Sequence, residues 1–245
     1  MTRKPRILLI AGSAEAHDVA TALSGSNLSA QAILRRVERS FGPLSVPSQI
    51  WTPDGSAQMQ RYLADNGITA ICDAGHGFDA DVSLIAEDAA RRSGLPYARL
   101  LRPAWTIKPP AERAVSVAQA AAMIPIGARV FAATGRGTID EYAPFTGRKL
   151  FLRQARAGTR SPLPGFAEAV YGGPPYTRAQ EAALFSRLDV DTLVCRNVGG
   201  EPSRPKLDAA LELGLRAIVI DRPPPPEGAR QLATARAAVA WLNAL

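Results

Sequence analysis

Cysteine is almost absent: Cys72 and Cys195 are the two in 245 residues. That excludes a disulfide framework and the paired Cys/His spacings of a zinc site. Histidine is equally scarce, as His17 and His76, and no cluster of ligating side chains suggests a metal. Aromatic residues make up only 6% of the chain and are not interleaved with the basic residues, which argues against a surface that stacks nucleic-acid bases. No apolar run approaches the roughly 18 residues that span a membrane. The apolar part of the N-terminus MTRKPRILLIAG is too short for a signal peptide and passes straight into a glycine turn. A cytoplasmic globular protein is therefore expected, with neither nucleic acid nor membrane as partner.

Lysine is the remaining scarcity. Of 29 basic residues only 4 are lysines (Lys4, Lys108, Lys149, Lys206), which leaves 25 arginines and a net charge of +7. The planar guanidinium binds carboxylate and phosphate in a bidentate way, so an anionic ligand is one reading. A genome rich in G and C, whose codons favour Arg, Ala, Pro and Gly, is the other, and composition alone leaves both open.

What is present is a repeated alternation of short apolar runs with helical patterns. Arg6–Ala11 (RILLIA) reads as a strand apolar enough to be buried on both faces. The turn Gly12-Ser13-Ala14-Glu15 and a helical pattern follow, without the full G-x-G-x-x-G dinucleotide fingerprint. Ser29–Val37 fits a strand or a helix. Residues 39–54 read as loop, with a short strand at Gln49–Trp51, and Ser56–Asn66 reads as a helix closed by Gly67. Ile68–Cys72 is a strand, Val82–Arg92 a helix and Tyr97–Leu101 a strand running into Arg102-Pro103-Ala104-Trp105. Lys108–Arg113 is a polar connection, followed by a helix at Val117–Met123.

The second half repeats the plan. Arg129–Ala132 is a strand, then Thr134-Gly135-Arg136-Gly137-Thr138 leads to a helix start at Ile139. Lys149–Arg153 is a strand, and Ala155–Tyr176 is a loop too long for a simple connector. Arg178–Leu188 is a helix, Thr192–Cys195 a strand and Pro205–Leu213 a helix. Ala217–Ile220 is the last strand, and Ala229–Leu245 a terminal amphipathic helix. Such alternation predicts an α/β protein with two Rossmann-like domains, residues 1–113 and 114–245, mainly parallel sheets and a ligand cleft between them.

The stretch Cys72–Ser83 (CDAGHGFDADVS) stands out, because it holds His76, two glycines and three acids just beyond a strand's carboxyl end, where open α/β sheets bind ligands. Together with AGSAEA, RPAW at Arg102–Trp105, ATGR at Ala133–Arg136 and NVGGEPSRPKLDAALELG followed by IVIDRP, in this order over nearly the whole chain, it resembles the precorrin-6A reductases of cobalamin biosynthesis. DAGHGF followed about twenty-five residues later by RPAW is the most diagnostic pair. The chain departs from the family pattern at Gly75 and Gly77, where a looser loop is expected, and at Arg196 and Val198.

The resemblance implies an NADPH-dependent oxidoreductase that transfers a hydride to an anionic tetrapyrrole, giving precorrin-6B, with neighbouring pathway enzymes as candidate partners. A non-catalytic tetrapyrrole or anion binder and an NAD(P)-linked enzyme with another substrate are the alternatives. In this light His76 and Asp73 are candidate catalytic residues, and Glu15, Arg102, Trp105 and Arg153 candidates for substrate binding. Two turns compete for the cofactor. One offers Gly12 and Ser13. The other, which is favoured, offers Thr134, Gly135 and Arg136 with Asn197, Gly199, Gly200 and Lys206, and Arg136, Arg196, Arg204 or Lys206 as takers of the 2′-phosphate.

Overall fold

The computed structural model describes residues 4–36, 42–155 and 162–245. The strands in chain order are β1 (Arg6–Ala11), β2 (Ser29–Leu34), β3 (Ser48–Ile50), β4 (Ala70–Ala74), β5 (Tyr97–Leu100) and β6 (Glu112–Ala114), then β7 (Arg129–Ala133), β8 (Lys149–Gln154), β9 (Ala167–Tyr171), β10 (Thr192–Arg196), β11 (Arg216–Ile220) and β12 (Arg230–Leu232). The α-helices are α1 (Ala14–Ser24), α2 (Ser56–Asp65), α3 (Ala80–Arg92), α4 (Val117–Ala122), α5 (Arg178–Arg187), α6 (Pro205–Glu212) and α7 (Ala235–Asn243).

Two six-stranded parallel sheets result, ordered β12-β5-β4-β1-β2-β3 and β6-β11-β10-β7-β8-β9. Each is the doubly wound order in which the chain reverses direction beside its first strand, β1 or β7. Side chains of β1 alternate between faces, as strand geometry requires. Ile7, Leu9 and Ala11 pack under α1 and α7 with Val19, Leu23 and Leu242. Leu8 and Ile10 pack on the other face with Met59, Leu63 and Ala86 of α2 and α3. Burial on both faces explains why RILLIA is continuously apolar, each Leu or Ile contributing roughly 2 kcal/mol. In the second sheet Phe131, Phe151, Leu193 and Val219 pack against Phe185 of α5 and Leu207 of α6. Helix starts follow local chemistry: the Ser13 hydroxyl accepts from Ala16 N at 3.3 Å, and Thr177 and Gln180 form a reciprocal capping box at α5.

The sixth strand of neither sheet follows directly on the other five: β6 precedes β7, and β12 comes only after the whole second sheet. After β5 the chain leaves the first sheet and adds β6 beside β11; after β11 it returns and adds β12 beside β5. Both departures begin at an Arg-Pro, Arg102-Pro103 and Arg222-Pro223. Both exchanged strands are three residues long, and both are followed by a helix capped by a hydroxyl, Ser116 or Thr234. By contacts the chain divides into Met1–Pro103 with Pro223–Leu245, and Ala104–Arg222. Residues 104–113 thus belong with the second unit and residues 223–245 with the first, whereas the sequence reading divides the chain once, after residue 113. Linear reading assigns an element to its neighbours in sequence, and strand exchange defeats it.

Other differences are local. Ser29–Leu34 is a strand. Arg136–Tyr142 is a 3-10 helix rather than an α-helix starting at Ile139. The expected loop 155–176 contains β9, and its residues 156–161 lie outside the described residues, as do 37–41 of the expected Ser29–Val37 element and the loop after it. The expected helix Ala229–Leu245 is the strand β12 followed by α7.

Candidate functional site

In the first unit the carboxyl ends of β1, β4 and β5 converge on the loop 74–79. Ser13 Oγ donates to Ala74 O at 2.8 Å, tying the first turn to β4. A β-carbon on Gly12 would lie 2.8 Å from His76 N and 3.4 Å from Gly75 C, so glycine is required by the approach of two backbones. The space over this turn is thus filled by the protein itself, and Gly12 and Ser13 serve to hold the loop.

Asp73 is fully buried. Its Oδ1 accepts from Gly75 N and Arg99 Nη1, both at 3.0 Å, and its Oδ2 accepts from Tyr97 OH at 2.7 Å. Arg99, 2% exposed, also donates to the carbonyls of Asp73 (3.0 Å), Gly75 (3.1 Å) and His76 (3.2 Å). A buried guanidinium is tolerable only when paired and fully hydrogen-bonded, and here its partners are the loop. The loop expected to be loose at Gly75 and Gly77 is therefore pinned from below. Asp73, expected as a catalytic group, is placed as an anchor beneath the loop. Burial drives the Tyr97 phenol well above its usual range, with Asp73 adding to the effect, so Tyr97 remains a hydrogen-bond donor.

His76 sits half-buried above this anchor. Phe78 N–H donates to its Nδ1 at 3.2 Å, which puts the proton of a neutral ring on Nε2. Glu15, in the first turn of α1, is ion-paired with Arg102 (Oε1–Nε 2.8 Å). Two residues expected to meet a substrate thus meet one another. Asp79 and Asp81 pair with Arg35 and Arg36 at 2.6–3.5 Å. Burial pushes the Cys72 thiol up to about 12, leaving it a neutral core residue.

The second unit arranges its equivalent ends differently. Thr134 is buried, its hydroxyl within 3.2 Å of Tyr142 OH and 3.0 Å of Thr138 Oγ1. Gly135 has φ 85°, a conformation that side chains resist. The nearest atom to a β-carbon built on it would be Arg196 Nη2, at 2.8 Å. A guanidinium, not a backbone, therefore lies over this turn, with Arg136 the next residue.

Beyond β10, the Asn197 amide clamps the chain at Trp105. Its Oδ1 accepts from Trp105 N and its Nδ2 donates to Trp105 O, both at 2.9 Å. Trp105 Nε1 donates to Gly200 O at 2.8 Å, and Gly199 and Gly200 have φ of 73° and 67°. Arg204 and Lys206 lie over the indole at 5.7 and 5.9 Å. Asn197 and Trp105 are thus brought together as one docked segment, with cations above it. Arg153 is placed elsewhere in the unit, paired with buried Glu181 (Nη2–Oε2 2.6 Å) between the rings of Phe131 and Tyr176. Among the described residues no three His, Cys, Asp or Glu side chains are grouped to hold a metal, and no helix is long and apolar enough to cross a membrane.

Residues 6–243 match the family model described as Precorrin-6x reductase CbiJ/CobK. The chain belongs to this family. It is 31% identical to the precorrin-6A reductase of Rhodococcus erythropolis and 31% identical to that of Mycobacterium tuberculosis H37Rv, over 98% of each chain in both cases. It is 30% identical to that of Rhodobacter capsulatus over 97% of this chain and 95% of the other. The solved structure of a CobK precorrin-6A reductase superposes with a TM-score of 0.88 at 28% identity, covering 98% of this chain and 96% of that one. Membership in the Precorrin-6x reductase family makes the chain an oxidoreductase of tetrapyrrole metabolism.

Two features of this reductase escape the sequence reading. Arg99 has a readable signal, a lone charge inside the apolar strand YARLL, where an unpaired cation would be prohibitive. Glu181 has none, because an acid four residues into a helix is ordinary on a surface.

Proposed function

We propose that the protein reduces precorrin-6A to precorrin-6B with NADPH, and that the β7 turn holds the diphosphate of the cofactor. The observation that carries the activity is kinship along the whole chain with precorrin-6A reductases, in sequence and in fold. For the cofactor, the support is the cradle at Gly135: a turn without a side chain, roofed by Arg196 and flanked by Arg136, offers backbone approach and positive charge to phosphate oxygens. The first turn fits less well, because the His76 backbone fills the corresponding space.

When bound, NADPH supplies a hydride from its nicotinamide C4, and saturating a ring double bond also consumes a proton. His76 is the residue of this reading that donates a hydrogen bond to the reacting ring, with its proton kept on Nε2 by the Phe78 amide at Nδ1, and the proton consumed comes from solvent. Asp73 and Arg99 act through it, fixing the loop from which the ring projects. The reaction belongs in the cytoplasm, beside the enzymes that make and consume the macrocycle.

Purified protein mixed with NADPH and precorrin-6A should oxidise the cofactor and change the macrocycle spectrum in equal amounts. Tight macrocycle binding without cofactor oxidation would instead make the protein a carrier. His76→Gln should lower kcat by about ten- to a hundredfold while KM changes little.

A further inference from the structure

The two exchanged strands occupy matching places in the two sheets but carry different charges. Arg113 of β6 pairs in register with Val219 of β11, and Gln231 of β12 with Arg99 of β5. One position earlier, Glu112 of β6 corresponds to Arg230 of β12. Register neighbours on parallel strands share a face, and so do residues two apart on one strand. Glu112 therefore reaches Arg216, two residues before its register partner Ile218, and Arg113 reaches Asp221, two residues after Val219. Arg216 Nε and Nη2 donate to the two Glu112 oxygens at 2.6 and 3.0 Å. Arg113 donates to Asp221 Oδ2 from Nε at 3.0 Å and from Nη2 at 2.7 Å. Such forked pairs have direction as well as strength. Among the described residues β12 makes no such pair on β5, where Pro96 and Leu101 stand in the places of Arg216 and Asp221.

The chain has an alternative, in which each sheet takes as its sixth strand the one that follows its fifth. β6 would then lie on β5, and β12 on β11. In the same registers Arg230 would fall beside Arg216, and Arg113 beside Arg99, making two pairs of like charges. Glu112 would face Pro96, and Asp221 would meet the neutral Gln231. Like charges side by side on neighbouring strands are destabilising. The clash at Arg99 is the more severe, because Arg99 is 2% exposed and its carboxylate partner Asp73 is already engaged. A three-residue strand forms few backbone hydrogen bonds, and both arrangements offer the same ones, so side chains decide between them. Exposed ion pairs are individually weak. Here two attractions in one arrangement and two repulsions in the other act in the same direction.

We infer that the charges on β6, β11 and β12 select the exchanged topology, with Glu112–Arg216 and Arg113–Asp221 as the clamp that commits β6 to the second sheet. Selection of this kind comes from the penalty on the wrong partner as much as from the right contact. Its consequence for the site is positional. The clamp anchors β6 in the second unit, and with it the preceding segment that carries Trp105 to the Asn197 amide. The inference is independent of which turn takes the cofactor.

The test is deuterium uptake by the full chain, read at residues 112–114 of β6 and 230–232 of β12. Glu112→Arg should speed uptake in β6 about tenfold, because the docked strand opens more often. Adding Arg216→Glu restores an attractive pair of reversed sign and should bring uptake back to within about twofold of wild type. The fourfold variant Glu112→Arg, Arg113→Gln, Arg230→Glu, Gln231→Arg gives each strand the charges of the other. It should lose protection in both strands. Uptake in the Glu112→Arg, Arg216→Glu pair that stays as fast as in Glu112→Arg alone would overturn the inference. Protection unchanged in the fourfold variant would overturn it as well, and would leave the connecting segments to set the topology. If the fourfold variant does not fold, rescue by the reversed pair decides by itself.

Discussion

The two sheets share one strand order, yet their carboxyl ends are built differently. In the first, β4 and β5 place Asp73 opposite Arg99; in the second, β10 and β11 place Cys195 opposite Val219, and in each case the β5 or β11 residue stands three positions before an Arg-Pro. At this position one sheet carries a buried ion pair that fixes a loop and the other carries plain packing. The glycines differ in the same sense. Gly12 is pressed against backbone, whereas Gly135 is covered by an arginine side chain. Duplicated topology thus gives one end that is closed by its own loop and one end whose turn lies under an arginine, where the proposed reading puts the cofactor phosphates. A glycine after the first strand is not by itself a cofactor signal; what lies above it decides.

Breaking the ion pair should have the largest effect. Arg99→Met leaves Asp73 buried without its charge partner, and urea unfolding should show a loss of about 3–5 kcal/mol. Val219→Ala, the matching change in the second sheet, should cost about 2 kcal/mol, as expected of a few lost methyl contacts. Equal losses would remove the distinction between the two ends.

Exchanging the glycines sharpens the contrast. Gly12→Ala meets a backbone nitrogen and should destabilise by about 1–3 kcal/mol, without direct effect on NADPH affinity in the folded fraction. Gly135→Ala is strained by its φ of 85° and should cost a similar 1–3 kcal/mol. Unlike Gly12→Ala, it should also weaken NADPH about tenfold, read by calorimetry.

A smaller effect should appear with pH. Burial raises the Cys195 thiol to about 11 and, with a contribution from Asp73, Cys72 to about 12, against 9.0 for a free thiol. Folded pKa values above the unfolded ones mean that stability is intact below pH 9.0 and declines as pH climbs through 11, where the unfolded chain has released protons that the native one keeps. Each group contributes a slope of about 1.4 kcal/mol per pH unit within its window. Replacing both cysteines by alanine should flatten the fall in Tm over that range, and neither native thiol should react with a disulfide reagent at neutral pH.

Much of this architecture was legible in the amino-acid order. Strands such as RILLIA and the apolar run of Thr192–Cys195 announce themselves because burial on two faces demands continuous apolar residues, and the Cys72–Ser83 stretch declares a sheet end by its glycines and acids. The exchanged strands β6 and β12 were not legible. Three residues, partly exposed, carry no periodicity, and their pairing is set by partners distant in the chain rather than by local preference. Site residues divided in the same way. Their location at strand ends followed from the alternation, whereas their pairing, Glu15 with Arg102 and Arg153 with Glu181, depends on contacts between elements distant in sequence. Arg99 shows that a charge in an apolar strand is worth pursuing before any loop is assigned freedom.

Hydrogen–deuterium exchange of the full chain, with and without saturating NADPH, tests the division of labour most directly. The account predicts slowed exchange at residues 134–137 and 196–200, with residues 12–15 unchanged. Protection confined to residues 12–15 and their neighbours would contradict it.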